Sequence, residues 1–285
     1  MKKPSSVSTS YPFIVSGETA RIIHTLLPLL IVGIGILYCP EGSEAYLRAF
    51  SYLFFAIAGT ILSSAWIAEF AYQYIFCCRR LQAQKNESSK MRYEEAWETT
   101  RASWMFASLA GFVRARYLAG KPTAIVFTLA EAQPEAPEAI WLYIVKLIAV
   151  TLLVDFYMYF KHRLLHWRPL FAFHRDHHMF HNPSPFASFA VAPVEAFLTF
   201  APVLLLCFPQ LPILAQAYAL WVTGFVWLNL YLHAGYIGHI SETILRSIGL
   251  NSSGFHNIHH EKTIQNFGEL MYIWDSILQT GNHPA

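Results

Sequence analysis

Charge is what this chain has least of. Asp, Glu, Lys and Arg make up only 13% of its 285 residues, against 55% hydrophobic, and the mean hydropathy is +0.35. Soluble domains carry about 25% charged residues, so the deficit excludes an ordinary soluble protein and places the chain in a membrane. A net charge of +2 offers no basic surface for nucleic acid. Cysteine is sparse as well: Cys39, Cys77, Cys78 and Cys207 border or lie within apolar stretches and lack zinc-finger spacing. They read as small apolar fillers, not as a disulfide framework. No Gly/Ser-rich or Pro-rich linker separates independent units, so one membrane-embedded body is expected.

The apolar runs give its outline. After a polar start (Met1 to Ser10), Ile22 to Tyr38 is of marginal spanning length and stops at Cys39 and Pro40. Lys2 and Lys3 ahead of it suit a signal peptide, but no small-residue cleavage site follows, and a retained span is expected. Phe50 to Cys78 is a second span, joined to the first as a hairpin. Arg79, Arg80, Lys85, Lys90 and Arg92 then form a basic stretch that belongs on the cytoplasmic side. Trp104 to Leu129 is apolar but interrupted by Arg114, Arg116, Gly120 and Pro122, and reads as an interfacial or re-entrant element. Ile140 to Phe160 is a strong span running straight into His162. Ala196 to Cys207 and Leu211 to Leu232 form a second hairpin. Sidedness depends on Trp104 to Leu129: if it crosses, the basic stretch and the histidines share a face, and the charge rule favours that arrangement.

Histidine, in contrast, is abundant. Nine of the 13 fall into His162 and His166, then His174, His177 and His178, then His256, His259 and His260, with His233 as an outlier. One tetrahedral ion takes about four protein ligands, so two metals are the economical reading. Neutral imidazole suits zinc, copper, iron and nickel. A spacing of four puts His162 and His166 on one helical face, and the pattern H-x-x-H-H, present twice, does the same for its members. His24, His239 and His283 read as ordinary imidazoles.

In order along the chain these boxes resemble the fatty acid hydroxylase and sterol desaturase superfamily, the membrane-bound histidine-box di-iron oxidoreductases, over Trp97 to Thr280. Asp155 through Tyr159 and His162-Arg163 to His166 resembles the first box, and Phe173-His174 to His177-His178 the second. Asn182 to Ser188 follows as in sterol C-5 desaturase-like members. Asn229 to His233 and Tyr236 resembles the lone-histidine box, and His256 to His260, with Asn266-Phe267-Gly268 and Trp274-Asp275, the last. The resemblance implies two iron ions held by His162, His166, His174, His177, His178, His233, His256, His259 and His260. It also implies an all-α membrane bundle, about four spans in two hairpins, with a helical cap carrying the site. Residues 1–102 would form the polar tail, hairpin and basic loop, and 103–285 the catalytic domain.

Three further residues stand near the metals. Related desaturases complete one iron's shell through water with an Asn four residues before the lone His, the place of Asn229; a helix-to-helix hydrogen bond is the other reading. Asp155 shares a helical face with His162 at membrane depth, where an unpaired carboxylate costs several kcal/mol. Orienting an imidazole is its favoured role, and pairing with Lys161 or Arg163 the alternative. His181 is an extra imidazole that partly offsets a departure: the family's His-Pro-x-Glu reads Ala192-Pro193-Val194-Glu195 here. That change, and Ser276 where the family has Arg, favour a divergent substrate or an inactive relative.

The implied activity is O2-dependent hydroxylation or desaturation of a lipid, most plausibly a sterol, with fatty acid or sphingoid-base hydroxylation as alternatives. No nucleotide fingerprint, iron–sulfur cysteine set or His-Pro-Gly-Gly haem motif is present. Electrons must then come from cytochrome b5 or ferredoxin with a reductase, docking on a basic patch with Arg163, Arg168 and Arg175 or, alternatively, leaving that patch to anionic lipid. The expected location is the endoplasmic reticulum in a eukaryote or the inner membrane in a bacterium, with a cytoplasmic-facing site. Among other classes, a zinc hydrolase lacks its glutamate between paired histidines, a metal transporter would hold ligands at mid-membrane, and a catalytically inactive metal- or lipid-binding relative remains the main rival.

Overall fold

A computed structural model describes residues 14–75, 79–81, 89–132, 139–237 and 239–282; Cys77, Cys78, Lys85 and His283 lie outside them. The protein is an all-α membrane bundle. Three helices are long and apolar enough to cross a bilayer, Gly17–Tyr38 (α1), Ser43–Ile75 (α2 with its terminal π turn) and Ile140–Leu165 (α5). Ser16 caps α1 by accepting from the Thr19 amide at 3.0 Å. Gly42, at φ 95°, turns the chain into α2, a conformation costly for any residue with a Cβ. The hairpin closes tightly: a Cβ on Gly35 would lie 2.0 Å from the fully buried Tyr46 ring, whose hydroxyl donates to the Ser108 carbonyl at 3.0 Å.

Over the stretch Trp104 to Leu129, the helix Ser89–Leu118 (α3), about 45 Å long at 1.5 Å per residue, runs on through Arg114 and Arg116 and stops just ahead of Gly120, at φ 67°, and Pro122. Its polar residues do not break it, because Thr100, Ser103 and Ser108 return their hydroxyls to carbonyls three or four residues back. Arg114 lies over the Tyr52 ring at 4.0 Å. Ala102, Met105, Phe106 and Leu109 pack at the bundle centre with Ile61, Phe189, Val191 and Ala196. The expected boundary at 102 and 103 falls inside this helix, so both regions share one core.

The bundle has two ends. At one, Arg79–Arg80 (β1) pairs antiparallel with Tyr236–Ile237 (β4), and the Leu81 amide donates to the Gly235 carbonyl at 3.0 Å. At the other, Arg116 meets Glu41 at 3.5 Å, and Ile125–Val126 (β2), just ahead of the short helix Leu129–Ala132 (α4), pairs with Ile213–Leu214 (β3). α3 therefore runs the whole height between them, and Arg79 and Arg80, which open the basic stretch, lie at the histidine end. The short run Pro193–Cys207 descends between the ends because only Pro193–Phe200 (α6) is α-helical. Ala201–Cys207 is 3₁₀, whose rise of about 2.0 Å per residue stretches the segment to about 26 Å. Ala215–Leu232 (α7) returns as the second arm of the expected hairpin.

The tight α1–α2 approach yields a stability prediction. Gly35→Ala must displace a fully buried ring and should destabilise the protein by about 1–3 kcal/mol, read as a lower melting temperature in detergent. Gly33→Ala and Gly59→Ala, whose added methyls meet nothing within 4 Å, are the controls, and equal melting of all three would disprove the contact.

Candidate metal centre

Each histidine group sits where a helix or turn ends at the same end of the bundle. His162 lies in the last turn of α5 and His166 caps it. His174 follows a 3₁₀ turn, Phe171–Phe173, and His177 and His178 open another, His177–Met179. The second box is thus not the helix its spacing suggests. The third box is one: Ser252 caps Ser253–Lys262 (α9) by accepting from the Phe255 amide at 3.4 Å.

Two clusters result. His162, His166, His174, His178 and His259 form one, and His177, His233, His256 and His260 the other, with ligand atoms within 4.8 Å of one another in each. Both H-x-x-H-H motifs divide in the same way. His174 and His178 go to the first cluster and His177 to the second; His256 and His260 go to the second and His259 to the first. The adjacent pairs therefore bridge the clusters, with ring centroids 5.6 Å apart for His177 and His178 and 5.9 Å for His259 and His260.

The protons point outward. His162, His177, His233 and His259 donate Nδ1–H to the carbonyls of Phe267 (2.8 Å), Ala190 (3.2 Å), Asn229 (2.9 Å) and Gln265 (2.7 Å), and His174 donates to Glu195 Oε2 at 2.6 Å. A neutral imidazole that donates through Nδ1 has a bare lone pair on Nε2. Yet His162 and His174 face Nε2 to Nε2 at 3.1 Å, and His177 and His233 at 3.4 Å. Neither pair can be a hydrogen bond. Burial also opposes protonation, holding His174, His177 and His259 down at about 3 and His233 at about 4, and His178, His256 and His260 well below their ordinary value. Facing lone pairs in a dry site need a cation between them. The adjacent Nε2 pairs recorded within the clusters, at 3.0 to 3.4 Å, match the edges expected of nitrogens about 2.1 Å from one ion at angles of about 90° to 109°. The donor set fits two metals.

The acceptor oxygens are themselves held. Asp275 accepts from the amides of Phe267 (3.0 Å) and Gly268 (2.6 Å) and from Thr280 Oγ1 (2.6 Å), fixing the peptide that His162 uses. Asp155 does not reach an imidazole and pairs with neither Lys161 nor Arg163. It accepts from the Leu270 and Met271 amides at 3.2 Å each and from Trp274 Nε1 at 2.8 Å, tying α5 to the segment before Ile273–Ile277 (α10). That segment wins because its amides arrive at the same helical face. Asn229 donates to the Phe225 carbonyl at 3.0 Å within its own helix and lines the cavity beside His177, His233 and His256. His181 is exposed and outside both clusters. His24 lies apart in α1, edge-on to Phe173. Ala192 is a buried helix cap belonging to neither cluster.

A cavity of about 30 Å³ opens beneath the rings, walled by Phe106, Phe189, Val191 and Phe225 and floored by Lys161, Glu195, Thr199 and Glu269. Lys161 Nζ donates to Glu269 Oε1 at 2.7 Å and to Thr199 Oγ1 at 3.0 Å. Sequence reading missed Glu269 and the burial of Lys161. The available signal was a lysine ending an apolar span, one residue from a ligand.

Residues 147–280, which contain all nine clustered histidines, match the fatty acid hydroxylase family. The resemblance read from the boxes holds over this stretch. The chain is 32% identical to a lathosterol oxidase of Mus musculus over 148 residues, 51% of this chain and 48% of that one. It is 31% identical to a Delta(7)-sterol 5(6)-desaturase of Gibberella zeae over 135 residues, 47% of this chain and 36% of that one. A methylsterol monooxygenase of Aspergillus fumigatus is 29% identical over 178 residues, 57% of this chain and 56% of that one. The chain spans about half the length of the lathosterol oxidases it matches. No solved structure matches.

Acid should unfold the metal-free protein early. Histidines held at about 3 to 4 in the fold return to about 6.5 when unfolded, so between those values the unfolded chain binds more protons. Stability is then complete above about pH 6.5 and falls as pH drops, by up to about 1.4 kcal/mol per pH unit for each such histidine. A melting temperature of the metal-free protein that stays flat from about pH 7 to 5 would contradict the packing of neutral rings.

Proposed function

We propose that this chain is an O2-dependent di-iron oxidoreductase that hydroxylates or desaturates a C–H bond of a sterol or related membrane lipid. The observation that carries this reading is the pair of buried histidine clusters with their Nε2 lone pairs turned inward. His162, His166, His174, His178 and His259 would hold one iron, and His177, His233, His256 and His260 the other. The second cluster is one ligand short of the first, and Asn229, lining the same cavity, is the side chain placed to complete it through water. Irons bound there would supply dioxygen activation and removal of hydrogen from an unactivated C–H bond, which no side chain provides.

The chain's own residues do the rest. Carbonyls and Glu195 hold His162, His174, His177, His233 and His259 in one tautomer. Phe106, Phe189, Val191 and Phe225 shield the site from water and present an apolar wall to a lipid. Relatives whose names state sterol oxidation, sterol desaturation and methylsterol oxygenation favour a sterol-like substrate. Electrons would come from a separate protein, cytochrome b5 or a ferredoxin with its reductase, docking where Arg163, Arg168 and Arg175 are exposed at the histidine end. The basic stretch at Arg79 shares that end, which supports a cytoplasmic-facing site in the endoplasmic reticulum of a eukaryote or the inner membrane of a bacterium. Ala192 removes no member of either cluster, so its departure from the family motif favours a divergent substrate over an inactive protein.

Expression with a native lipid pool and a reductase should give about two irons per chain, one for each cluster, and a lipid that has gained one oxygen or lost two hydrogens by mass spectrometry. His177→Ala should abolish conversion and lower the iron content of the second cluster. Zinc in place of iron with lipid hydrolysis, or full turnover by the variant, would defeat the proposal.

A further inference from the structure

The floor of the cavity is an unusual place for charge. Lys161 belongs to a membrane-spanning helix, its side chain is 3% exposed, and the carboxylates of Glu195 and Glu269 are 4% and 13% exposed. Charged groups buried to this degree are costly and need partners. The His174–Glu195 bond accounts for one oxygen of Glu195, and Glu269 and Thr199 for two of the three Lys161 donors. What remains is one Lys161 N–H and Glu195 Oε1, 3.9 Å apart across the floor. That gap is too long for a direct hydrogen bond. An oxygen about 2.8 Å from each would bridge it at an angle of about 90°, accepting from the ammonium and donating to the carboxylate. Only a hydroxyl or water does both.

We infer that Lys161 and Glu195 select a neutral lipid alcohol, seating its hydroxyl a few bonds from the carbon to be oxidised. The inference rests on the proposed lipid oxidation and names the substrate class of that site. A fatty acid carboxylate has no hydrogen to give Glu195 Oε1 and so cannot bridge the gap. The volume of about 30 Å³ admits a hydroxyl with its neighbouring carbons and not a ring system. The rest of the lipid must therefore lie along the aromatic wall, with Phe106, stacked on Phe200 at 3.7 Å, moving aside.

Competition against a radiolabelled 3-hydroxysterol, with the metal-loaded protein in phosphatidylcholine nanodiscs, tests this without turnover. The 3-hydroxysterol should bind at least about tenfold more tightly than its 3-deoxy analogue or palmitate, with the 3-methoxy ether, which accepts but cannot donate, in between. The analogue series on the unaltered protein needs no variant. Lys161→Met alone would strand Glu269, so the informative variant is Lys161→Met with Glu269→Gln, checked for melting temperature and iron content. It should bind the deoxysterol as before and lose the preference to within about twofold. Equal binding of the four lipids by the unaltered protein, or an undiminished preference in the double variant, overturns the inference. A preserved preference without any lipid oxidation supports it while refuting the proposed reaction.

Discussion

Nitrogen lone pairs facing one another at about 3 Å in a water-free site are the constraint around which this protein is organised. Such an arrangement is repulsive unless a cation occupies the centre, and it persists only if each ring is denied the alternative of turning its proton inward. For five of the nine rings the carbonyls of Phe267, Ala190, Asn229 and Gln265 and the carboxylate of Glu195 provide that denial. Three of these acceptors come from loops, whose positions are not self-determined. Hence the outer structure: Asp275 pins the Phe267 peptide, Asp155 pins the segment that follows, and Asn266 bonds the Phe255 carbonyl at 2.8 Å within the third box.

The doubled H-x-x-H-H motif shows what spacing conveys and what it leaves out. Residues four apart share a cluster in both copies, as helical geometry dictates for α9. The copy at His174 to His178 reaches the same outcome from two 3₁₀ turns, so the shared face is real while the helix is not. That the middle histidine of each motif crosses to the opposite cluster is invisible locally, because it depends on how α9 and the second box face one another. That the nine would gather was legible from the chain; their division into five and four was not. Asp155 illustrates the same limit. Its burial was readable from a carboxylate on an apolar helix, but its partners, three N–H groups more than a hundred residues away, were not.

Of about four expected spans, hydropathy placed the three that are long and apolar enough to cross, and it misjudged one further helix. α3 owes its length to contacts on several sides, where Thr, Ser and Ala allow close approach and hydroxyls bond back to their own turn. Composition sees Arg114 and Arg116 as interruptions, yet the helix runs through both and ends ahead of Gly120 and Pro122. Pro193–Cys207 errs the other way: it is too short for an α-helical crossing, and its 3₁₀ half supplies the missing reach. With α3 running end to end, the Arg79 strand and the histidines fall at one end, the arrangement that the charge rule favours.

Lys161 ties the membrane reading to the chemistry. A lysine at the end of a spanning helix ordinarily extends its ammonium to the interface. Here the neighbouring position, His162, is fixed in the histidine cluster by its bond to the Phe267 carbonyl, and Lys161 is turned inward to Thr199 and Glu269. Inverting it costs desolvation that two contacts offset only in part, and a purely apolar residue would pack the same space without that cost. The charge therefore makes most sense as recognition: a hydrophobic wall can hold any lipid, whereas a donor and an acceptor 3.9 Å apart distinguish an alcohol from its deoxy and anionic counterparts.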